Sequence, residues 1–322
     1  IDIWYELTGN KDMAITYDKM IGERPDLTSF DRNPKYDYTL FVPLQFWFCR
    51  YNGLSLPLVA MQYSDVSIRL KLRKIEECCY VDEELENIAI QDIFDSQDSI
   101  TDIDISSQNQ FTTGLKGSLY VDYIFLDILE RRKFAQAGHE YLIDQLEIQT
   151  EEHSEEAITT VLDFNYCSKE IIWTAQKLSY IENTDQHTEC MWWNFGINED
   201  GSKNPVIMTK MEFTSYTIIP GENGNFFNYL QPYVRHKNTP SDGINVYSFA
   251  LRPEEQQPTG ACNMTRISQS RMYFKIDPET YVLKKRGTEN IIAGTDTIKL
   301  SIYSLRYNVL RIIGGYGALA FA

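Results

Sequence analysis

The sequence predicts an all-β chain of sandwich or jelly-roll type, on three observations. Short apolar or alternating runs recur along it, separated by turns that contain Pro and Gly. Aromatic residues make up 13% of the chain, Tyr alone numbering 21, and flat rings suit a pleated, half-buried face better than a helical bundle. Helical periodicity is nearly confined to one short stretch. With 322 residues and 43% apolar content, the chain has material for one large core or two ordinary ones, and two domains are expected.

Taken in order, the first unusual element is residues 41–63, FVPLQFWFCRYNGLSLPLVAMQY, which is apolar and almost uncharged. It reads as two strands turning at Asn52-Gly53, with Pro57 placed where no ladder donor is needed. Val66 to Arg73 alternates strictly, so it reads as a strand with one wet face, which also absorbs the basic cluster RLKLRK at 69–74. Residues 76–104 carry many carboxylates and no Lys or Arg, as a solvated surface loop does. SLYVDYIFL, 118–126, is apolar on nearly both faces and reads as a central strand. A helix is expected over about 128–137, capped by Asp127 with Glu130 reaching back, and closed by Gly138 in the left-handed conformation. TEEHSEEA, 150–157, is polar and acidic and reads as an inter-domain linker.

The second half has the rhythm of short strands: EIIWTAQKL, PVIMTKMEFTSY, GINVYSFAL, RMYFKI and TIKLSIYSLRYNVLRII. In the last, the apolar parity changes between Ile302 and Tyr303, which implies a bulge. Pro220-Gly221, Pro240 to Gly243 and Pro258 to Gly260 are turn signals between these segments.

Charge and chemistry exclude more than they suggest. A formal net charge of -16 and a pI near 4.7 repel phosphate backbones, so direct nucleic-acid binding is not expected. Six cysteines without a C-x-x-C spacing fit a reducing compartment; the adjacent Cys78-Cys79 pair could bridge only with strain. No apolar run reaches the roughly 18 residues of a membrane span. The opening IDIWYELTG carries neither cap nor turn, which points to residues before it. GINEDGSK, 196–203, has Ser before Lys where a phosphate loop needs Lys before Ser, so it reads as an exposed turn. GGYG, 314–317, is too close to the end for a dinucleotide fingerprint and suits a turn of the last strand. His187, Cys190 and Cys167 lack a fourth zinc ligand, and Asp102-Ile103-Asp104 lacks the following Gly of a calcium loop. Asp127, Glu130 and Arg131 are explained by a helix cap rather than acid–base chemistry. Asn263-Met264-Thr265 is a formal glycosylation sequon that matters only in a secretory lumen. No catalytic, cofactor or metal residue is assigned.

Four stretches in order, LFVPLQFWFCRYNGLSLPLVAMQYSDVSI (40–68), LYVDYIFLDILERRKFAQAGHEYLIDQLE (119–147), FNYLQPYVRHKNTPSDGINVYSFALRPEEQQPTGACNMTRI (227–267) and YNVLRIIGGYGALAFA (307–322), resemble the major capsid proteins of the nucleocytoplasmic large DNA viruses. The chain departs from the family pattern at Ser64, where many relatives carry a His. The resemblance implies a tandem double jelly roll, two eight-stranded antiparallel sandwiches with one or two short helices, the first incomplete at its N-terminus. Residues 1–147 then supply the later part of the first jelly roll and residues 148–322 the second.

It further implies a homotrimer acting as a pseudo-hexagonal capsomer of an icosahedral shell, located in the virion and assembled in the host cytoplasm. Expected partners are neighbouring capsomers, minor capsid or cement proteins and penton proteins, with at most indirect contact with an internal membrane. No enzyme activity and no cofactor are expected. On this reading 41–63 lies against a neighbouring subunit, although a buried hairpin within one subunit also explains it, and loop 76–104 faces outward. The alternative is a jelly-roll carbohydrate-binding module in which Trp192-Trp193 offers a stacking ring.

Overall fold

Two large sheets and a separate two-stranded pair assemble from the expected succession of strands in the second half. In the computed structural model, which describes residues 2–28, 37–70, 117–181, 191–214, 216–284 and 291–321, these are β1 (His139–His153), β2 (Ala157–Val161), β3 (Cys167–Lys177), β4 (Val206–Phe213), β5 (Tyr216–Asn223), β6 (Ile244–Ser248), β7 (Cys262–Asn263), β8 (Ser270–Ile276), β9 (Val282–Lys284), β10 (Ile291–Thr295), β11 (Ile298–Ile313) and β12 (Tyr316–Leu319). One sheet runs β1-β11-β3-β6, with β12 added on β11 and β7 on β3; the other runs β2-β8-β4-β5. Leaving aside β7 and the separate β9–β10 pair, the chain crosses from one four-strand row to the other at each step from β1 to β11 except within the β4–β5 hairpin. That is the path of an eight-stranded jelly roll.

The core lies between the sheets. β8 alternates Ser270, Met272, Phe274 and Ile276 inward with Arg271, Tyr273 and Lys275 outward. Across from it stand Ile171, Trp173 and Ala175 of β3 and Ile298, Leu300 and Ile302 of β11, all buried in one cluster. Each such side chain removed from water contributes about 1.5–3 kcal/mol.

β11 is covered on both faces, and its parity change has a different origin from the one expected. Its pairing with β1 is unbroken from Ile298 opposite His153 to Ile312 opposite His139. The extra residue belongs to β3: Leu305 pairs with Glu170 and Arg306 with Ser168, so Lys169 is the bulge. The inward face of β11 continues through Ser304, Arg306 and Asn308, all buried. Beyond the apolar core that face meets polar groups instead. Ser304 bonds Ser168 at 2.9 Å, Asn308 donates to Gln145 at 2.6 Å, and Arg306 pairs with Glu147 at 3.0 Å beneath the Tyr166 ring.

Turns follow the signals, with one exception. Gly314 and Gly315, at φ 61° and 90°, form the two-residue turn between Ile313 and its partner Tyr316, a geometry that needs positive φ at both positions. Pro220-Gly221, expected as a turn, lies inside β5. β5 is an edge strand, where a missing N–H is tolerated, and its register with β4 shifts nearby.

The acidic run 150–157 is not a linker. β1 continues to His153, residues 154–156 turn, and β2 begins at Ala157, so the expected boundary at 147/148 falls inside a strand. Polar residues are compatible with this strand because β1 is an edge with one face in water, while Gln149 donates to the Val161 carbonyl and Glu151 accepts from Thr160.

Helices are short but more numerous than the one or two expected: α1 (Asp2–Thr8), α2 (Ala14–Ile21), α3 (Pro25–Thr28), α4 (Ile128–Gln136), α5 (Leu178–Ile181) and α6 (Gln231–Arg235), the last continuing a π turn at Phe226–Leu230. Asp127 caps α4 as expected: its carboxylate oxygen accepts from the N–H groups of Leu129 at 2.7 Å and Glu130 at 2.9 Å. It ends differently, because Ala137 caps it in an extended conformation (φ -81°, ψ 147°) that leads straight into β1, so Gly138 is not a left-handed cap. Replacing Asp127 by Ala is expected to weaken this helix by about 1 kcal/mol. Faster amide exchange at Arg131 to Phe134, with an unchanged global unfolding midpoint, is the readout.

The strands expected before residue 139 are not formed among the described residues. Segment 41–63 is an irregular strap with 3-10 turns at Trp47–Cys49, Asn52–Leu54 and Leu58–Ala60. It leans on the second half through Trp47 near Tyr141, Arg50 bonded to Asp144, and Tyr63 beside Tyr316. Residues 118–126 pair with no described strand, and of the Val66 to Arg73 run only 66–70 is described, with a single bridge residue at Leu70. An apolar pattern marks a surface that can be buried; a ladder also needs a partner with free N–H and C=O groups. The acidic segment 76–104 and Cys78-Cys79 lie outside the described residues.

Candidate assembly surface

The exposed apolar residues gather in the first half. Leu119, Tyr120, Val121, Tyr123, Ile124 and Phe125 are exposed in succession, Tyr120 at 86% and Phe125 at 92%, and Ile128 and Leu129 extend the run onto α4. Soluble monomers rarely show contiguous apolar patches beyond a few hundred Å². Smaller apolar patches lie on β1, at Leu146 and Ile148, and on the helical turn after β5, at Leu230, Tyr233 and Val234.

The outer face of the six-stranded sheet is covered by α1. Leu7 is fully buried against Ile172, Ile244 and Val246, with Ile3, Phe195 and Tyr303 around it. Beside this seat lies a chain of charges, buried at Lys169, Glu170 and His236. The Lys169 bulge places its ammonium 3.0 Å from an Asp144 carboxylate oxygen, which also holds Arg50 at 2.6 Å; the Arg50 guanidinium lies over the Trp4 ring. His236 is enclosed between two carboxylates, its Nε2 3.0 Å from Glu170 and its Nδ1 3.3 Å from Glu254. The ring N–H directions miss the oxygens, so these are ion pairs held by charge and proximity.

Burial alone would lower the His236 pKa, but contact with Glu170 and Glu254 outweighs it and raises the value to about 9. The ring is therefore an imidazolium at neutral pH. Glu254 is pulled below the usual carboxylate range: burial opposes this, and His236 and Lys237 prevail. Burial first, then the charges of Asp144 and Glu170, push the Tyr307 hydroxyl up to about 12.

Sequence reading treated the four histidines as scattered and missed this cluster. Its one visible signal is Glu170 inside the apolar run of β3, a carboxylate that burial would penalise without a cationic partner. His139 instead contacts the Phe134 carbonyl at 2.8 Å, and His153 sits 3.1 Å from Glu151. His187 and Cys190 lie outside the described residues, while Cys167 is free at the start of β3. Among the described residues no three His, Cys, Asp or Glu side chains converge as metal ligands.

The remaining flagged residues have structural work. Lys203 of the 196–203 turn is tied to Asp277 at 2.9 Å and Glu279 at 2.5 Å, and Asn198 to Asp200 are exposed. Trp192-Trp193 forms part of a turn, with Trp193 exposed and Trp192 half-buried, so one ring at most is open to a flat ligand. Asn263 is exposed, and the Thr265 hydroxyl accepts from the Tyr166 N–H. Ser64 accepts from the Gly317 N–H, anchoring the strap to β12.

Comparison with known proteins decides what this jelly roll belongs to. Residues 130–318 match the large eukaryotic DNA virus major capsid protein family, and residues 1–127 match the family described as major capsid protein N-terminus. The chain belongs to the major capsid proteins of large DNA viruses. The major capsid protein of Phaeocystis pouchetii virus is 30% identical over 99% of this chain and 76% of its own length, and that of Pyramimonas orientalis virus 32% identical over 100% and 71%. Among solved structures, the PBCV-1 virus capsid aligns with a TM-score of 0.62 at 25% identity, covering 99% of this chain and 78% of that one.

The all-β, double-jelly-roll class expected from the sequence therefore stands, as do virion localisation and a structural rather than enzymatic role. As a capsid protein it assembles with copies of itself and with neighbouring capsid proteins.

Proposed function

We propose that this capsid protein forms homotrimeric, pseudo-hexagonal capsomers that tile an icosahedral shell, assembled in the host cytoplasm. The observation that carries the reading is the exposed apolar run from Leu119 to Leu129, which is costly in a solitary molecule and suits a subunit interface. Two jelly-roll units arranged in tandem, the second starting with β1 at His139, fit the two family matches that meet between residues 127 and 130. A three-fold assembly of such pairs presents six barrels around one axis, which matches a six-fold lattice position. Minor capsid, cement and penton proteins are the further partners, and contact with an internal membrane is indirect. The net charge of -16 disfavours direct contact with nucleic acid.

The test is light scattering on the purified full-length protein. A trimer mass that persists on dilution to nanomolar concentration is expected of an obligate interface. Monomers at micromolar concentration overturn the proposal. Replacing Tyr123 and Phe125 together by Lys is expected to convert trimers to monomers with the β signal in circular dichroism intact.

A further inference from the structure

The residues that follow His236 are the ones that grip α1. The Asn238 backbone N–H donates to the Leu7 carbonyl at 3.1 Å, the Asn238 side chain to the Gly9 carbonyl, and the Ser241 N–H to the Glu6 carboxylate at 2.7 Å. His236 itself is pinned from below by Glu170 of β3 and from the side by Glu254 of the loop after β6. One short segment thus connects the buried ion pairs to the whole C-terminal end of α1.

We propose that His236 is the pin of a pH-operated latch: the charged ring holds segment 236–241 and α1 on the outer face of the six-stranded sheet, and loss of its proton releases α1 while the jelly roll stays folded.

The charges around the pin give the direction. Glu170 from β3 and Glu254 from the loop after β6 meet it with negative charge; further along the cluster Asp144 from β1 is negative, and Lys169 from β3, Arg50 from the strap and Lys237 beside the ring are positive. Arg235, on α6, is directed to the Leu251 carbonyl, and the Tyr307 hydroxyl stays protonated well past neutrality. Lys169 and Arg50 are both committed to Asp144, and Lys237 reaches only Glu254. When His236 loses its proton, Glu170 therefore keeps no cation in contact, and a buried carboxylate in that state draws in water or moves apart.

The sign follows from the raised value. The contribution of His236 is complete below the ordinary histidine range near 6.5 and is lost as pH climbs through about 9. α1 is the part that leaves because a seven-residue helix does not persist alone in water and only Leu7 is fully buried in the seat. Glu170, the contact of the pin on β3, lies on the face opposite Ile171, Trp173 and Ala175, which form the core between the sheets. Release exposes Ile172, Ile244 and Val246, an apolar face that the closed subunit hides.

Fluorine NMR of the full chain labelled with 5-fluorotryptophan tests this, with Trp4 of α1 and Trp173 of the core assigned by Trp4→Phe and Trp173→Phe. The Trp4 signal is expected to hold its position through neutral pH and to move with a midpoint near 9 while Trp173 stays fixed. Glu254→Gln removes one carboxylate from the pin and is expected to lower that midpoint by up to about one pH unit. Leu7→Asp, which puts a carboxylate into the apolar seat while leaving His236, Glu170 and Glu254 in place, is expected to put Trp4 at the released position at every pH. The proposal is overturned if Trp4 moves only together with Trp173, if it stays fixed to about 1.5 units above the expected midpoint, if Glu254→Gln leaves the midpoint unchanged, or if Leu7→Asp leaves Trp4 at its neutral-pH position.

Discussion

Trp173→Ala is expected to cost about 3–5 kcal/mol, a large fraction of the roughly 5–15 kcal/mol stability of an ordinary domain. Trp173 is fully buried at the centre of β3, between β11 and β6, with the Phe227 ring 5.0 Å away edge-on and the Phe274 ring at 6.2 Å from the opposite sheet. Truncation therefore opens a cavity where both sheets and the turn after β5 meet. Trp173→Phe separates volume from polarity. The indole Nε1–H has no acceptor in this site, so the phenyl ring sacrifices packing but relieves an unsatisfied donor. Its cost is expected near 1–2 kcal/mol, well below that of the Ala variant. Denaturant midpoints for the two variants at equal slope provide the comparison. Near-equal losses would mean that the ring's contribution is not its volume.

Legibility divided along a physical line. From residue 139 onward, short apolar or alternating runs between turns were enough to find β3, β4, β6, β8 and β11: burial follows a period of two in β4 and β8, while β3, β6 and β11 are apolar runs covered on both faces. Where the pattern and the structure part, a second constraint intervenes. The polar end of β1 hides its strand character because an edge strand needs a hydrogen-bonding neighbour, not an apolar sequence. In β11 the parity change records a passage from apolar core to the buried Ser304, Arg306 and Asn308, while the chain itself runs on without a break. Residues 41–63 and 118–126 carry the composition of strands, yet composition does not supply a partner. The cluster of Glu170, His236 and Glu254 was hidden for a related reason: its members lie on three elements far apart in the sequence, and only the fold brings them within 3.3 Å. The family, by contrast, was readable from four ordered stretches, since resemblance needs neither pairing nor burial to be recognised.

Those three residues set up the second large effect. Glu170→Ala is expected to destabilise the protein by about 3–5 kcal/mol at neutral pH, because it leaves a buried imidazolium with one contact instead of two. Removing both ends of the pair separates that penalty from the net worth of the interaction. Glu170→Leu combined with His236→Leu buries no unpaired charge, and its loss is expected to be clearly smaller than that of Glu170→Ala alone. The pH dependence carries the sign. In the natural protein the histidine contribution persists until pH passes about 9, and the lowered Glu254 adds stability above the ordinary glutamate range that acid removes. Without Glu170 the ring loses the larger of the contacts that hold its proton, so the alkaline decline is expected to start closer to the ordinary histidine range. In the double variant, with no imidazole present, this alkaline limb is expected to disappear. Denaturant midpoints across neutral and alkaline pH measure all three; an alkaline limb that survives in the double variant would assign it to other groups, and a Glu170→Ala loss below about 1 kcal/mol would show that water already solvates the site.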